Sequence, residues 1–243
     1  MPAAGVGRRF GSSKPKQYAL LQGRAVIEWA LAPFLADPSC VGAVVVLANE
    51  DPYWAEIATR VGRLAGSRLI VAQGGAERSQ TVRNGLAALA ARADRDDWVL
   101  VHDAARPCLA PEDLQQLLAR VGSHPVGGLL ATPAADTLKR AKGAPDPTGH
   151  HEIEQTVDRA GLWRALTPQM FRYQMLCDAL DSALGAGRVP TDEAQALEWT
   201  GRRAVLVQGS AANIKITSAD DLLLAGALLS ARGGAVVSQE SFV

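Results

Sequence analysis

Apolar positions along this 243-residue chain fall into two alternating rhythms. Val41 to Leu47 is an unbroken apolar run rich in β-branched residues, the pattern of a strand buried on both faces. Arg68 to Ala72, Trp98 to His102, Gly127 to Ala131 and Ala204 to Val207 read as further strands. Helical spacing occupies Ala25 to Leu35, Asp51 to Val61, Arg78 to Ala91, Arg172 to Leu184 and Asp192 to Trp199. Another helix starts at Pro111-Glu112-Asp113, where a proline and two acids suit the unpaired N–H groups and the dipole of a first turn. Ser218 to Leu229 closes the pattern, with Ser218 and Asp221 at capping-box spacing. Strands that alternate with helices predict an α/β fold, a single doubly wound domain with a mostly parallel twisted sheet and helices on both faces. Its ligands belong at the carboxyl ends of the strands.

One segment breaks the rhythm. Asp136 to Thr156 carries Lys139-Arg140, Gly143, Pro145, Pro147, Gly149 and the pair His150-His151, with short β-like pieces at each end. It reads as a protruding hairpin arm whose histidines are solvated. No repeat, low-complexity tract or linker divides residues 1 to 243.

Composition narrows the function. The 25 basic and 25 acidic residues cancel, and aromatic residues make up only 5%, which argues against a nucleic-acid binder. The apolar stretch Leu222 to Leu229 is far shorter than the ~20 residues of a membrane span. Arg8-Arg9 follows Met1 to Gly5 with no apolar core behind it, so no secretory signal is expected and the cytoplasm is the expected location. Cys40, Cys108 and Cys177 lack paired spacing and read as buried or half-buried thiols.

The charge is unevenly spread. Residues up to 27 hold Arg8, Arg9, Lys14, Lys16 and Arg24 and no acid, so this segment is +5 and the remainder −5. Gly5 and Gly7 let backbone N–H groups approach an anion, and Arg9 and Lys16 supply charge, which describes a triphosphate cradle; a solvated basic tail is the alternative. A Walker A loop is excluded because Gly11-Ser12-Ser13 lacks its lysine. A dinucleotide fingerprint is excluded by Phe10 in place of the third glycine.

A second cluster ends a strand: Val99-Leu100-Val101-His102-Asp103-Ala104-Ala105-Arg106-Pro107. Asp103 there can accept from sugar hydroxyls or help to hold magnesium, and Arg106 can meet a phosphate; a surface ion pair between them is the alternative. Trp163 and Trp199 read as packing residues, and Asp192-Glu193 after Thr191 fits a helix cap as well as a catalytic pair.

Seven motifs in register carry a family resemblance. Pro2-Ala3-Ala4-Gly5-Val6-Gly7-Arg8-Arg9-Phe10, Pro15-Lys16-Gln17-Tyr18, His102 to Pro107, Thr156-Val157-Asp158-Arg159, Leu166-Thr167-Pro168-Gln169, Thr191-Asp192-Glu193-Ala194 and Asn213-Ile214-Lys215-Ile216-Thr217 together resemble the 2-C-methyl-D-erythritol 4-phosphate cytidylyltransferases. The resemblance implies a Rossmann-like nucleotidyltransferase domain. It implies transfer of a cytidylyl group from CTP to the sugar-alcohol phosphate, release of pyrophosphate, a magnesium ion with Asp103 as its candidate ligand, and a homodimer joined through the arm.

Residue roles follow from the same resemblance. Arg9 and Lys16 stabilise the transition state on the triphosphate. Arg159, from the neighbouring subunit's arm, and Lys215 position the sugar phosphate, with hydrogen bonds from Thr137 on the arm and from Thr167. Asp103 and Arg106 hold hydroxyls of ribose or of methylerythritol. Ala3, Ala4, Gly5, Gly75, Thr81 and Ala104 line the nucleotide pocket. A ribitol-5-phosphate cytidylyltransferase and a catalytically impaired CTP-binding protein are the alternatives.

Three departures stand out. Ala76 occupies a position where the family usually has an acid near the base, and Thr81 stands where serine is common. Family members also carry a short apolar strand before the Pro-Ala-Ala-Gly loop. The native protein is therefore expected to begin upstream of Met1, and loss of that strand to leave a gap in the sheet.

Overall fold

The computed structural model describes residues 1–5 and 14–238, with side chains as far as residue 233. The elements follow the chain as β1 (Leu20–Leu21), β2 (Arg24–Ala25), α1 (Val26–Ala36), β3 (Ala43–Leu47), α2 (Trp54–Ala65), β4 (Leu69–Gln73) and α3 (Arg78–Leu89). After them come β5 (Trp98–Val101), α4 (Pro111–Val121), β6 (Gly127–Pro133), β7 (Leu138–Ala141) and β8 (Ile153–Val157). The last are β9 (Trp163–Arg172), α5 (Tyr173–Gly185), α6 (Glu193–Glu198), β10 (Val205–Gln208) and α7 (Ala219–Ser238).

The hydrogen-bonded sheet comes in two parts. One has the order β10-β6-β9-β5, and the other pairs β3 with β4 in parallel. Met1 to Ala3 run beside β3, where Pro2 bridges Val46 and the Ala3 N–H donates to the Val46 carbonyl at 2.8 Å. In the four-stranded part, β10 is parallel to β6, while β9 is antiparallel to both β6 and β5. Three of its four strands thus share one direction.

Strand β9, like the two-residue strands β1 and β2, is not predicted by the residue pattern. The helical spacing begins at Arg172, but this residue ends β9 and forms the N-cap of α5. Pro168 lies inside β9, although proline cannot donate to a ladder. The structure accommodates it at an irregularity: Leu129 pairs with Gln169 but Ala131 pairs with Ala165. Arg68 falls in a short turn, Gly66–Arg68, just before β4.

Helices cover both faces, as alternation along the strands requires. Leu129 and Phe171 face α3, α5 and α6 through Leu86, Leu176, Leu180 and Leu197. Their neighbours Leu130 and Met170 face α4 through Leu114, Leu117 and Val121. Around β3, Val45 and Leu47 pack on Ile27, Leu31, Ile57 and Val61 of α1 and α2. On the other side of β3, Gly85 of α3 brings its backbone so near Val46 that an added Cβ would lie 2.7 Å from the valine methyl. Each of these wholly buried leucines contributes roughly 1.5–3 kcal/mol by leaving water.

Pro111 occupies the first turn of α4 with Glu112 and Asp113 beside it. Ser218 and Asp221 exchange side chain to backbone bonds at the start of α7, at 3.3 and 2.8 Å. The arm is an antiparallel hairpin of β7 and β8, exposed along nearly its whole length. Cys108 and Cys177 are buried and Cys40 is half-buried. Trp199 is covered by the Arg188 guanidinium, 3.9 Å from its ring centre. No helix among the described residues is long and apolar enough to cross a membrane.

Candidate active site

Loops at the carboxyl ends of three strands meet the N-terminal residues in one pocket. Residues 74–78 follow β4, residues 102–106 follow β5, and residues 213–217 follow β10. Their backbones are tied down first. The Gly74 N–H donates to the Leu47 carbonyl at 2.7 Å, and Ile216 N–H to the Ala105 carbonyl at 2.8 Å. The buried Gln17 amide donates to the Ala3 carbonyl at 2.7 Å and the Gly5 carbonyl at 3.1 Å, which shapes the start of the glycine loop. Gly74 has no room for a side chain, since a Cβ would sit 2.5 Å from that of Ala4.

The pocket gathers Ala3, Ala4, Gly5, Lys16, Gly75, Thr81, Asp103, Ala104 and Lys215, nine of the residues expected from sequence. Arg106 and Thr167 stand behind it. Thr167 Oγ1 accepts from the Asp103 N–H at 3.2 Å, and the Arg106 guanidinium donates to the Asn213 carbonyl at 2.7 Å. Thr137 and Arg159 are exposed at the arm and do not line the pocket of their own chain. Arg9 lies outside the described residues. Of the other cations in the basic N-terminal segment, Lys14 pairs with Glu56 and Arg24 stacks over Trp29, so Lys16 is the one placed at the pocket among the described residues.

Arg78 was missed, and it organises the charges. From the first turn of α3 its guanidinium reaches Glu193 at 2.6 and 3.2 Å and Asp103 Oδ1 at 3.1 and 3.3 Å. Lys215 Nζ lies 2.9 Å from the other Asp103 oxygen, with Arg106 Nε at 3.6 Å from it. Burial alone would raise the Asp103 pKa, but Arg78, Lys215 and Arg106 hold the carboxyl well below its usual range. Glu193 is wholly buried, and desolvation pushes its pKa upward against the pull of Arg78. Its position is set by Gln169, which donates to Asp192 at 2.9 Å and accepts from the Ala194 N–H at 2.9 Å. Asp192 caps α6 through the Gln195 N–H.

Both Asp103 oxygens face cations in this arrangement, Arg78 on one and Lys215 on the other. His150 in the arm is exposed and bonded to Thr148.

His102 is buried between α1 and the strand ends, its ring 5.1 Å from that of Phe34. Burial lowers its pKa from 6.5 to about 4. In the unfolded chain this imidazole takes up its proton near pH 6.5, so stability present above that pH is lost as the pH falls from 6.5 towards 4. The loss is on the order of 3 kcal/mol. Denaturant midpoints at neutral pH and near the lower limit are expected to differ less in His102→Gln than in the parent; equal differences would reject this source of acid lability.

The pocket's chemistry is therefore that of an anion site: three lining cations, Lys16, Arg78 and Lys215, against Glu77 and Asp103. The family model described as 2-C-methyl-D-erythritol 4-phosphate cytidylyltransferase matches residues 1–231. The chain belongs to this family.

The cytidylyltransferase family is a family of nucleotidyltransferases, and the chain is an enzyme of that class. It is 53% identical over 223 residues to the 2-C-methyl-D-erythritol 4-phosphate cytidylyltransferase of Ectopseudomonas mendocina, covering 91% of each chain. It is 49% identical to that of Halorhodospira halophila, covering 99% of this chain and 97% of the relative. A crystal structure of 4-diphosphocytidyl-2C-methyl-D-erythritol synthase superposes with a TM-score of 0.78 at 39% identity, covering 94% of this chain and 95% of that one. The Francisella tularensis cytidylyltransferase gives 0.75 at 32% identity, covering 93% and 96%.

Proposed function

We propose that this pocket transfers a cytidylyl group from CTP to 2-C-methyl-D-erythritol 4-phosphate, forming 4-diphosphocytidyl-2-C-methyl-D-erythritol and pyrophosphate. The observation that carries the reading is the meeting of Lys16, Lys215 and the Arg78–Asp103 pair over the Ala3–Gly5 backbone, at the carboxyl ends of β4 and β5. The nucleophile is a phosphate monoester oxygen, which is already anionic at neutral pH. No general base is needed, and neutral His102, closed in by other groups, is not asked to be one.

The barrier is repulsion between two anions together with charge that grows on the departing pyrophosphate. Fixed cations relieve both. Lys16 and Arg9 act on the triphosphate, and Lys215 releases part of its hold on Asp103 to meet the acceptor phosphate. A magnesium ion beside Asp103 would supply charge neutralisation on the triphosphate.

The enzyme is read as a cytoplasmic homodimer. Its exposed arm carries Ile153 at 65% exposure, with Leu162 and Trp163 also open at the arm's base, an apolar surface suited to a second copy. In that dimer Thr137 and Arg159 reach the partner's pocket. Arg159→Ala is expected to raise the Michaelis constant for the sugar phosphate on the order of tenfold, the effect of one charge-assisted contact, with that for CTP nearly unchanged. Initial rates with either substrate varied check this, and an unaltered sugar-phosphate constant removes Arg159 from the site.

The family names do not favour ribitol 5-phosphate as acceptor. Offering each sugar phosphate with CTP and following pyrophosphate tests the whole reading. Release with methylerythritol phosphate far above that with ribitol phosphate is expected; CTP binding without turnover would favour the impaired enzyme.

A further inference from the structure

Behind the pocket lies a closed circuit of buried polar groups. His102 Nε2 is 3.1 Å from the Arg106 carbonyl, and His102 Nδ1 is 2.9 Å from Thr167 Oγ1. Arg106 donates to the Asn213 carbonyl, and the Asn213 amide donates to the Thr167 carbonyl, both at 2.7 Å. The Asp103 N–H closes the circuit on Thr167 Oγ1. His102, Asp103, Arg106, Thr167 and Asn213 are each at most 8% exposed.

The donors can be assigned from chemistry. A carbonyl only accepts, so His102 carries its proton on Nε2. Nδ1 is then a lone pair, and the Thr167 hydroxyl must turn its proton towards it. The hydroxyl oxygen in turn accepts from Asp103.

We infer that His102 is a positioning residue of the acceptor site: in its neutral Nε2–H form it locks the turn bearing Asp103 onto Thr167 of β9, and Arg106 of that turn in turn holds the segment bearing Lys215. Lys215 is held from both sides, since Arg106 grips the Asn213 carbonyl and Ile216 N–H grips the Ala105 carbonyl. Thr167 turns its proton to His102, and its oxygen, which accepts from the Asp103 N–H, helps to place Asp103. The low basicity that burial imposes on His102 keeps this form through the physiological range. The inference rests on the acceptor reading above.

Two measurements on the full chain test it. In steady-state kinetics, His102→Ala raises the Michaelis constant for the sugar phosphate at least about tenfold, and shifts that for CTP less than about twofold. His102→Gln, whose amide can donate to the Arg106 carbonyl, recovers most of that loss. Nitrogen-15 spectra of labelled histidine in the wild-type protein show one buried ring held as the Nε2–H tautomer from about pH 8 to about pH 5, and Thr167→Val moves its Nδ1 signal. An Nδ1–H or protonated ring overturns the inference, as do equal changes for both substrates with Gln no better than Ala. Turnover by the wild type with His102→Ala unaffected overturns it alone; a wild type that releases no pyrophosphate overturns the acceptor reading first.

Discussion

Lys16→Ala is expected to lower turnover by on the order of 10²-fold or more while the protein keeps its fold, as loss of a transition-state donor does. Lys16 sits in a short turn, Lys16–Tyr18, whose neighbours anchor it from either side. Gln17 holds the Ala3 and Gly5 carbonyls, and the buried Tyr18 donates to Asp51 at 2.8 Å. The side chain at position 16 lines the pocket from a fixed base, which is what a preorganised charge requires. Substrate affinity should change less than the rate, because the pyrophosphate charge grows as the bond breaks. Single-turnover rates with CTP and sugar phosphate, beside a melting curve, check this. A rate within a few-fold of the parent would move the transition-state role to other cations.

The strand and helix alternation was legible because β3, β5 and β6 are apolar runs bounded by polar turns. Strand β9 was not, because its sequence contradicts its position. Arg164 and Pro168 sit in a strand that lies between two others, and only an irregularity against β6 lets the proline in. The site divided along the same line. Ala3 to Gly5, Asp103 and Lys215 each lie inside a recognisable motif. Arg78 and Glu193 are 115 residues apart, and nothing local in either segment announces that they meet. The signal that could have found Arg78 was its place just after a strand's carboxyl end, the same reasoning that singled out Asp103. The charge imbalance of the first 27 residues was real, yet Lys14 and Arg24 are engaged elsewhere, so only part of it serves the pocket.

The second large effect concerns that missed pair. Arg78→Ala strips the guanidinium from Glu193, 1% exposed, and from Asp103, 7% exposed. A buried carboxylate left alone costs about 3–5 kcal/mol of stability. The loss has a pH signature. Burial already raises the Glu193 pKa, and removing Arg78 raises it further, so the folded variant takes up a proton at a pH where the unfolded chain does not. Lowering the pH through that window favours the folded variant, and its deficit against the parent shrinks. Adding Glu193→Gln should recover much of the loss at neutral pH, because a neutral amide needs no counter-charge. Arg78→Lys should fall between, since one ammonium cannot span two carboxylates as the guanidinium fork does. Denaturant unfolding of the three variants at neutral and mildly acidic pH decides it. A deficit below about 1 kcal/mol, the value typical of an exposed pair, would make Arg78–Glu193 an ornament of the surface instead of the brace that sets Asp103 in the pocket.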